Sequence, residues 1–320
     1  MIAYELALEK VKNGAKPEVV AAELVDSMTL EEKVHCLDGA VPFWVGIKDI
    51  TTGGYHSRPF RAAKVERLGI PGFHFSDGPR GVVVGEATAF PVSMARGATF
   101  DPELEMRVGD AIGKELRTIG ADLYGGICVN LLRHPAWGRA QETYGEDPHH
   151  VGEMGAALTR GAQRHVMATL KHFALNSMEN ARFGVDVTVD ERALHEVYLP
   201  HFKRIVDEGV ACVMTAYNSV NGQWCSQSEE LLAEILRSEW GFTGFVISDW
   251  IFGVRDGVKS LQAGLDVEMP YRMIRNAPIV AALAEGLIIE ELVASAVTRT
   301  IATMLKFNVG KLPVRDRSVV

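Results

Sequence analysis

Gly244-Phe245-Val246-Ile247-Ser248-Asp249-Trp250, with the break Gly253 shortly after it, sets three large apolar side chains ahead of a hydroxyl, a carboxylate and an indole. The run is too short and too β-branched for a helix, and it reads as a strand of a parallel sheet, buried on both faces. Asp249 then stands where the strand emerges into a pocket. A carboxylate beside an aromatic ring is the layout of a nucleophile for sugar chemistry: the ring packs on a pyranose face while the carboxylate attacks the anomeric carbon. An aspartate after a strand also commonly caps a helix or forms a turn, so its meaning rests on what else the fold brings beside it.

Working outward, short apolar runs at 72–76, 91–95, 123–131, 166–173, 210–216, 245–248 and 265–269 alternate with longer amphipathic stretches. That alternation is the mark of βα units around a parallel sheet. It predicts an α/β fold, a (β/α)8-like TIM barrel, with the eighth strand either irregular or drawn from 34–37. The helices between the strands carry their own signals. Asp101-Pro102-Glu103 supplies a cap, a proline for the first turn and an acid, and Leu104, Val108, Ala111, Ile112 and Ile119 continue one face up to Gly120. Asp190 opens another helix that runs to Gly209, which Pro200 should kink or divide. A last helix is expected over 290–307.

The chain has 320 residues, 47% hydrophobic and 23% charged, enough for one barrel with terminal extensions. The expected organisation is an N-terminal extension over 1–29, the barrel over 30–307 and a Gly/Pro-punctuated, linker-like tail over 308–320. Net charge is −8, from 33 basic and 41 acidic residues, and no basic run appears. Nucleic acid is therefore not an expected partner. Glu5, Glu9, Lys10, Lys12 and Lys16 leave no uncharged core like that of a secretory signal, and no apolar stretch approaches a membrane span. Cys36, Cys128, Cys212 and Cys225 lack CxxC spacing, and a reduced, cytoplasmic protein is the simplest expectation.

In a barrel, polar residues at the carboxyl ends of the strands share one site. Asp77 ends the first strand, Lys171 and His172 the fourth, Asp249 and Trp250 the sixth and Glu268 the seventh; Tyr217 and Asn218 follow the fifth, and Arg139 lies in the loop after the third. Each has an ordinary explanation as a turn former, a solvated strand end or core. Their convergence on one face suits a neutral, polyhydroxylated substrate. Asp77 accepts hydroxyl protons, Lys171, Arg139 and His172 donate, and the cations are expected to lower the pKa of both Asp77 and Asp249. No His pair has ligand spacing, and neither a phosphate loop nor a GxGxxG turn is present, so no metal and no cofactor are expected.

The strings SDGPRG at 76–81, WGRAQETYGEDP at 137–148, KHFALN at 171–176, MTAYNSVNG at 214–222 and GFVISDW at 244–250 resemble, in order, the motifs of glycoside hydrolase family 3. These are the β-glucosidases and related exo-acting enzymes. The resemblance implies a retaining mechanism with Asp249 as nucleophile and Asp77, Arg139, Lys171, His172 and Arg182 holding the hydroxyls of a terminal sugar. It also implies Tyr217 near the nucleophile, Met214 lining the pocket and Trp250 in its aromatic wall. In the β-glucosidase branch the acid/base is a glutamate from a second α/β domain. The branch acting on N-acetylglucosamine uses a histidine after the Lys-His motif, and 174–183 holds none. The acid/base is thus expected from a second domain or partner chain, since Glu142, Glu146 and Glu268 sit at structural positions. Two alternatives stand beside this one: a sugar-binding barrel without catalysis, and a Schiff-base aldolase built on Lys171.

Overall fold

The computed structural model describes residues 3–310; residues 1–2 and 311–320, and with them most of the expected tail, lie outside the described residues. The strands are β1 (Phe60–Val65), β2 (Ile70–Asp77), β3 (Leu123–Cys128), β4 (Met167–Phe173), β5 (Asp186–Val187), β6 (Cys212–Thr215), β7 (Ser219–Val220), β8 (Gln223–Trp224) and β9 (Phe245–Ile247). Six form the main sheet, in the order β1-β2-β3-β4-β6-β9, parallel throughout except that β1 runs against β2. The two-residue strands β5, β7 and β8 make a small side sheet.

The two edges of the main sheet are joined by segments too irregular to count as strands. On one side the Asp266 and Val267 amides donate to the Val246 carbonyl at 3.0 and 3.1 Å, and the Ser248 amide to the Val267 carbonyl at 3.0 Å. Then the Glu268 amide donates to Leu37 (2.8 Å), the Gly39 amide to Glu268 (2.9 Å) and the Ala40 amide to Arg61 in β1 (2.8 Å). Eight staves thus complete the ring of an α/β barrel. The stave sought at 34–37 lies just past it, at Asp38 and Gly39. Residues 34 and 35 instead finish the helix Leu30–His35, which Thr29 and Glu32 start with a reciprocal capping box.

One expected strand is not a strand. Residues 91–95 enter the helix Ser93–Gly97. Its Arg96, buried, donates from Nε to both oxygens of Glu105 and through its other nitrogens to the carbonyls of Pro79 and Pro91. A five-residue apolar run has no period long enough to separate the two forms, and here the cation anchors the helical one. The strand that replaces it, β1, was hidden by the charged Arg61 and Lys64. The helices follow their caps closely: Asp101 accepts from Leu104 N at the head of Pro102–Thr118, and Asp147 from His150 N at the head of Pro148–Ala162. The stretch after Asp190 is divided as expected, a π-helical turn over Leu194–Tyr198 preceding the helix Pro200–Asp207.

Strand periodicity aims the site. Phe73 and Phe75, Met167, Cys212 and Met214, and Phe245 and Ile247 belong to one buried cluster, whereas Tyr124, Leu170, Val213 and Val246 belong to a second one with the helices around 102–118, 148–162 and 200–207. Residues two apart share a face, so Asp77 continues Phe73 and Phe75, Asp249 continues Phe245 and Ile247, and Lys171 continues Met167. Three ionisable groups therefore reach the same end of the barrel from the same side of their strands.

The seam between the eighth and first staves carries a buried charge. Asp38 pairs by a bridge with Glu268, and both are fully buried. Burial first, then the neighbouring Glu268 carboxylate, pushes the Asp38 pKa up to about 7, against the pull of Arg275. An unfolded aspartate titrates near ~4, so the native chain binds more protons between the two values and loses stability as pH rises through that window. Asp38→Asn is expected to raise the denaturation midpoint at pH 8 and leave it unchanged at pH 3.5. Equal midpoints for the two proteins at both pH values would contradict this account of the seam.

Candidate active site

Nine of the residues nominated from the sequence line one cavity of about 340 Å³, joined there by Tyr55, Glu142 and Glu179, whereas Asn218 and Glu268 do not line it. That is the small end of the range for small-molecule sites. Its floor is an ion pair: Lys171 Nζ donates to Asp77 Oδ1 at 2.6 Å, the Gly78 amide to the same oxygen at 2.9 Å and the Tyr55 hydroxyl to Oδ2 at 3.3 Å. Burial pushes the Asp77 carboxyl up, but Lys171 and Arg139 outweigh it and hold it below the usual aspartate range. Lys171 stays above the usual lysine value because Asp77 overcomes the cost of its burial. An amine so held is charged, the opposite of what a Schiff-base nucleophile requires.

His172 is clamped by Asn130. The Asn130 side-chain oxygen accepts from the His172 amide (2.9 Å) and lies 3.3 Å from Nδ1, while its nitrogen donates to the His172 carbonyl at 2.9 Å. Arg139 Nη1 stands 3.1 Å from Nε2. This network fits a neutral ring with the proton on Nδ1 and the Nε2 lone pair facing a guanidinium. Burial, then Arg139, Lys171 and Arg182, hold the His172 pKa well below its ordinary value.

Asp249 is 5% exposed. Oδ1 accepts from the Trp250 amide at 2.7 Å, while Oδ2 makes no hydrogen bond among the described residues and lies 3.6 Å from His172 Nε2. Burial raises its pKa to about 6, and Arg139, the Trp250 amide and Lys171 pull down without prevailing. The expected lowering thus holds for Asp77 and fails for Asp249. Lys171 touches Asp77 and not Asp249, and desolvation of the second carboxylate dominates.

The other walls are built from paired groups. Arg139 Nη2 donates to Glu142 at 2.7 Å and Arg182 Nη1 to Glu179 at 2.9 Å. The Arg182 guanidinium also lies 4.9 Å over the Tyr217 ring, whose hydroxyl donates to the Trp250 carbonyl at 2.7 Å. Trp250 packs on Phe75 with centroids 4.4 Å apart. The remaining carboxylates stand differently. Glu268 accepts from the amides of Met273, Ile274 and Arg275, and Glu146 is exposed away from the cavity. Sequence reading missed Asn130, although an amide inside an apolar run was a signal, and Glu179, three residues before Arg182 on the spacing of a local pair. For Tyr55 no signal existed.

The model of the family described as "Glycosyl hydrolase family 3 N terminal domain" matches residues 6–303. The chain belongs to glycosyl hydrolase family 3. It is 40% identical to a β-glucosidase of Rhizobium radiobacter over 87% of its own length and 33% of that protein, and 38% identical to the thermostable β-glucosidase B of Acetivibrio thermocellus over 87% and 36%. Among solved structures it is similar to β-glucosidase 3B of Thermotoga neapolitana in complex with α-D-glucose, at TM-score 0.85 and 35% identity over 92% of this chain and 44% of that one. DesR, a β-glucosidase from Streptomyces venezuelae in complex with D-glucose, matches at TM-score 0.84 and 33% identity, over 93% and 40%. The chain thus spans between a third and less than half of the length of these relatives. Among the described residues no helix is long and apolar enough to cross a membrane.

Proposed function

We propose that this chain is the sugar-holding, nucleophile-bearing barrel of an exo-acting, retaining β-glycosidase of the β-glucosidase type. The observation that carries the reading is the buried, unpaired Oδ2 of Asp249 in a cavity walled by Asp77, Arg139, Lys171 and Arg182. Asp77 and Lys171 receive the hydroxyls of a terminal sugar, Arg139 and Arg182 add donors, Met214 and Tyr217 shape the pocket and Trp250 supplies an aromatic wall. His172, neutral and fixed by Asn130, orients Arg139. Asp249 attacks the anomeric carbon, the bond to the aglycone oxygen breaks, and that oxygen takes a proton from an acid. Water then attacks the glycosyl ester, losing its proton to the same group, and the sugar leaves with retained configuration.

The acid/base belongs outside the barrel, on a second α/β domain or a partner chain. Support comes from the barrel's own carboxylates: Glu142 and Glu179, which line the cavity, are each committed to an arginine. The four free, buried cysteines support a reducing, cytoplasmic setting. Attack requires Asp249 ionised, and its pKa of about 6 sets the pH profile. Release of a dinitrophenol from its β-glucoside, a leaving group that needs no proton, is expected to fall about tenfold per pH unit below 6 and to level off above 7. Cellobiose should turn over far more slowly. Glucose binding by calorimetry with no release of dinitrophenol at any pH would favour a binding barrel instead.

A further inference from the structure

A second cavity, of about 280 Å³, lies between the helix Phe43–Gly53, the loop that leads from it to β1, and Pro270 and Tyr271. It sits toward the same end of the barrel as the first, since β1 runs against β2 and its opening residue Phe60 pairs with Phe75, near the carboxyl end of that strand. Among the described residues the two cavities share Tyr55 alone, whose hydroxyl reaches Asp77. Phe60 stands between them. Its ring lies edge to face with Trp250, which lines the first cavity, at 5.3 Å, and is tilted against Tyr55 at 5.2 Å.

The body of this cavity is apolar, built by Val41, Ile50, Pro59, Phe60, Pro270 and Tyr271. The Tyr271 hydroxyl is spent on the Gly46 carbonyl at 2.9 Å. The charges on its walls are unequal: Arg58, Arg61 and Lys64 against Asp49 alone. Arg58 pairs with that aspartate. Lys64 meets Glu66 at 2.6 Å in a half-exposed pair, of a kind that contributes little. Arg61 is exposed, and its guanidinium makes no hydrogen bond or ion pair among the described residues. A fork of five donors thus borders an aromatic-walled pocket with no carboxylate of the chain to receive it.

We propose that this cavity is a ligand site of its own for the anion of a small aromatic acid, one planar ring bearing one carboxylate. The ring packs on Phe60 and Tyr271, while the carboxylate takes the Arg61 fork, with Lys64 beside it. Inorganic phosphate would lose its hydration against the apolar walls, and a sugar would find the Ser57 hydroxyl and few further partners. The acid and a sugar in the first cavity are bound at the same time, with the Phe60 ring between them. Nothing in this assignment rests on the glycosidase reading.

The test follows the ¹⁹F signal of 4-fluorobenzoate on titration with the full chain at pH 7, beside 4-fluorobenzamide, a neutral molecule of the same shape. The acid is expected to bind about tenfold or more tighter than the amide, and equally well with and without saturating glucose. Arg61→Gln should weaken the acid about tenfold and leave the amide within about twofold. Ser57→Trp, at an exposed position on the cavity, should fill the space and abolish binding of both, with the thermal midpoint unchanged. Equal affinity for acid and amide, displacement of the acid by glucose, or acid binding untouched by both substitutions would each overturn the assignment, as would no binding up to about 10 mM. Acid binding by a chain that binds no glucose would uphold it and undo the glycosidase reading instead.

Discussion

Asp249→Asn is expected to lower the release of dinitrophenol from its β-glucoside by at least about 10⁴-fold, as loss of a nucleophile does elsewhere, while making the protein more stable at neutral pH. The two effects share a cause. Folded Asp249 titrates near 6 against 3.8 for a free aspartate, so the native state holds an extra proton between those values. Stability falls as pH climbs through that window. At pH 7 the buried, ionised carboxylate costs about 2–3 kcal/mol, from about 1.4 kcal/mol per pKa unit. Asparagine removes that cost, and the thermal midpoint should rise at pH 7 and match the wild type below pH 3.5. A variant that lost activity and stability together would show that residue 249 supports the fold rather than attacking substrate.

Asp77→Ala should have the opposite signature. Lys171 is 2% exposed and its ammonium loses its counter-ion, which destabilises a buried charge by roughly 3 kcal/mol. Glucose affinity should fall at least about 100-fold with the loss of an ionised hydroxyl acceptor. The double substitution Asp77→Asn, Lys171→Met removes both charges. It is expected to recover most of the stability, read by urea denaturation, and none of the glucose affinity. Recovery of both, or of neither, would mean that the pair does not divide its work between fold and sugar in this way.

The contrast between these two aspartates shows what the sequence could and could not carry. Both were found from the same signal, a carboxylate ending an apolar run, because the two-residue period that buries Phe245 and Ile247, or Phe73 and Phe75, also aims the next residue but one. Their protonation was not legible. Whether a cation lies against Asp77 or Asp249 depends on which side chain of a neighbouring strand reaches across, and the chain places Lys171 on the former. The barrel was legible for the same periodic reason, whereas its seam was not. Asp38 and Glu268 close the ring through single bridges flanked by irregular backbone, with no alternation to read. Residues 91–95 misled because a short apolar run leaves strand and helix undecided, and the deciding partner, Glu105, belongs to another element.

The central claim is that Asp249 becomes covalently bonded to a sugar. Incubation of the chain with 2,4-dinitrophenyl 2-deoxy-2-fluoro-β-D-glucoside, followed by intact-mass analysis and peptide mapping, measures this directly. One fluoroglucosyl group per chain is expected, attached at Asp249 and absent from Asp249→Asn. A chain that binds glucose yet remains unlabelled, or carries the sugar on any other carboxylate, would contradict it.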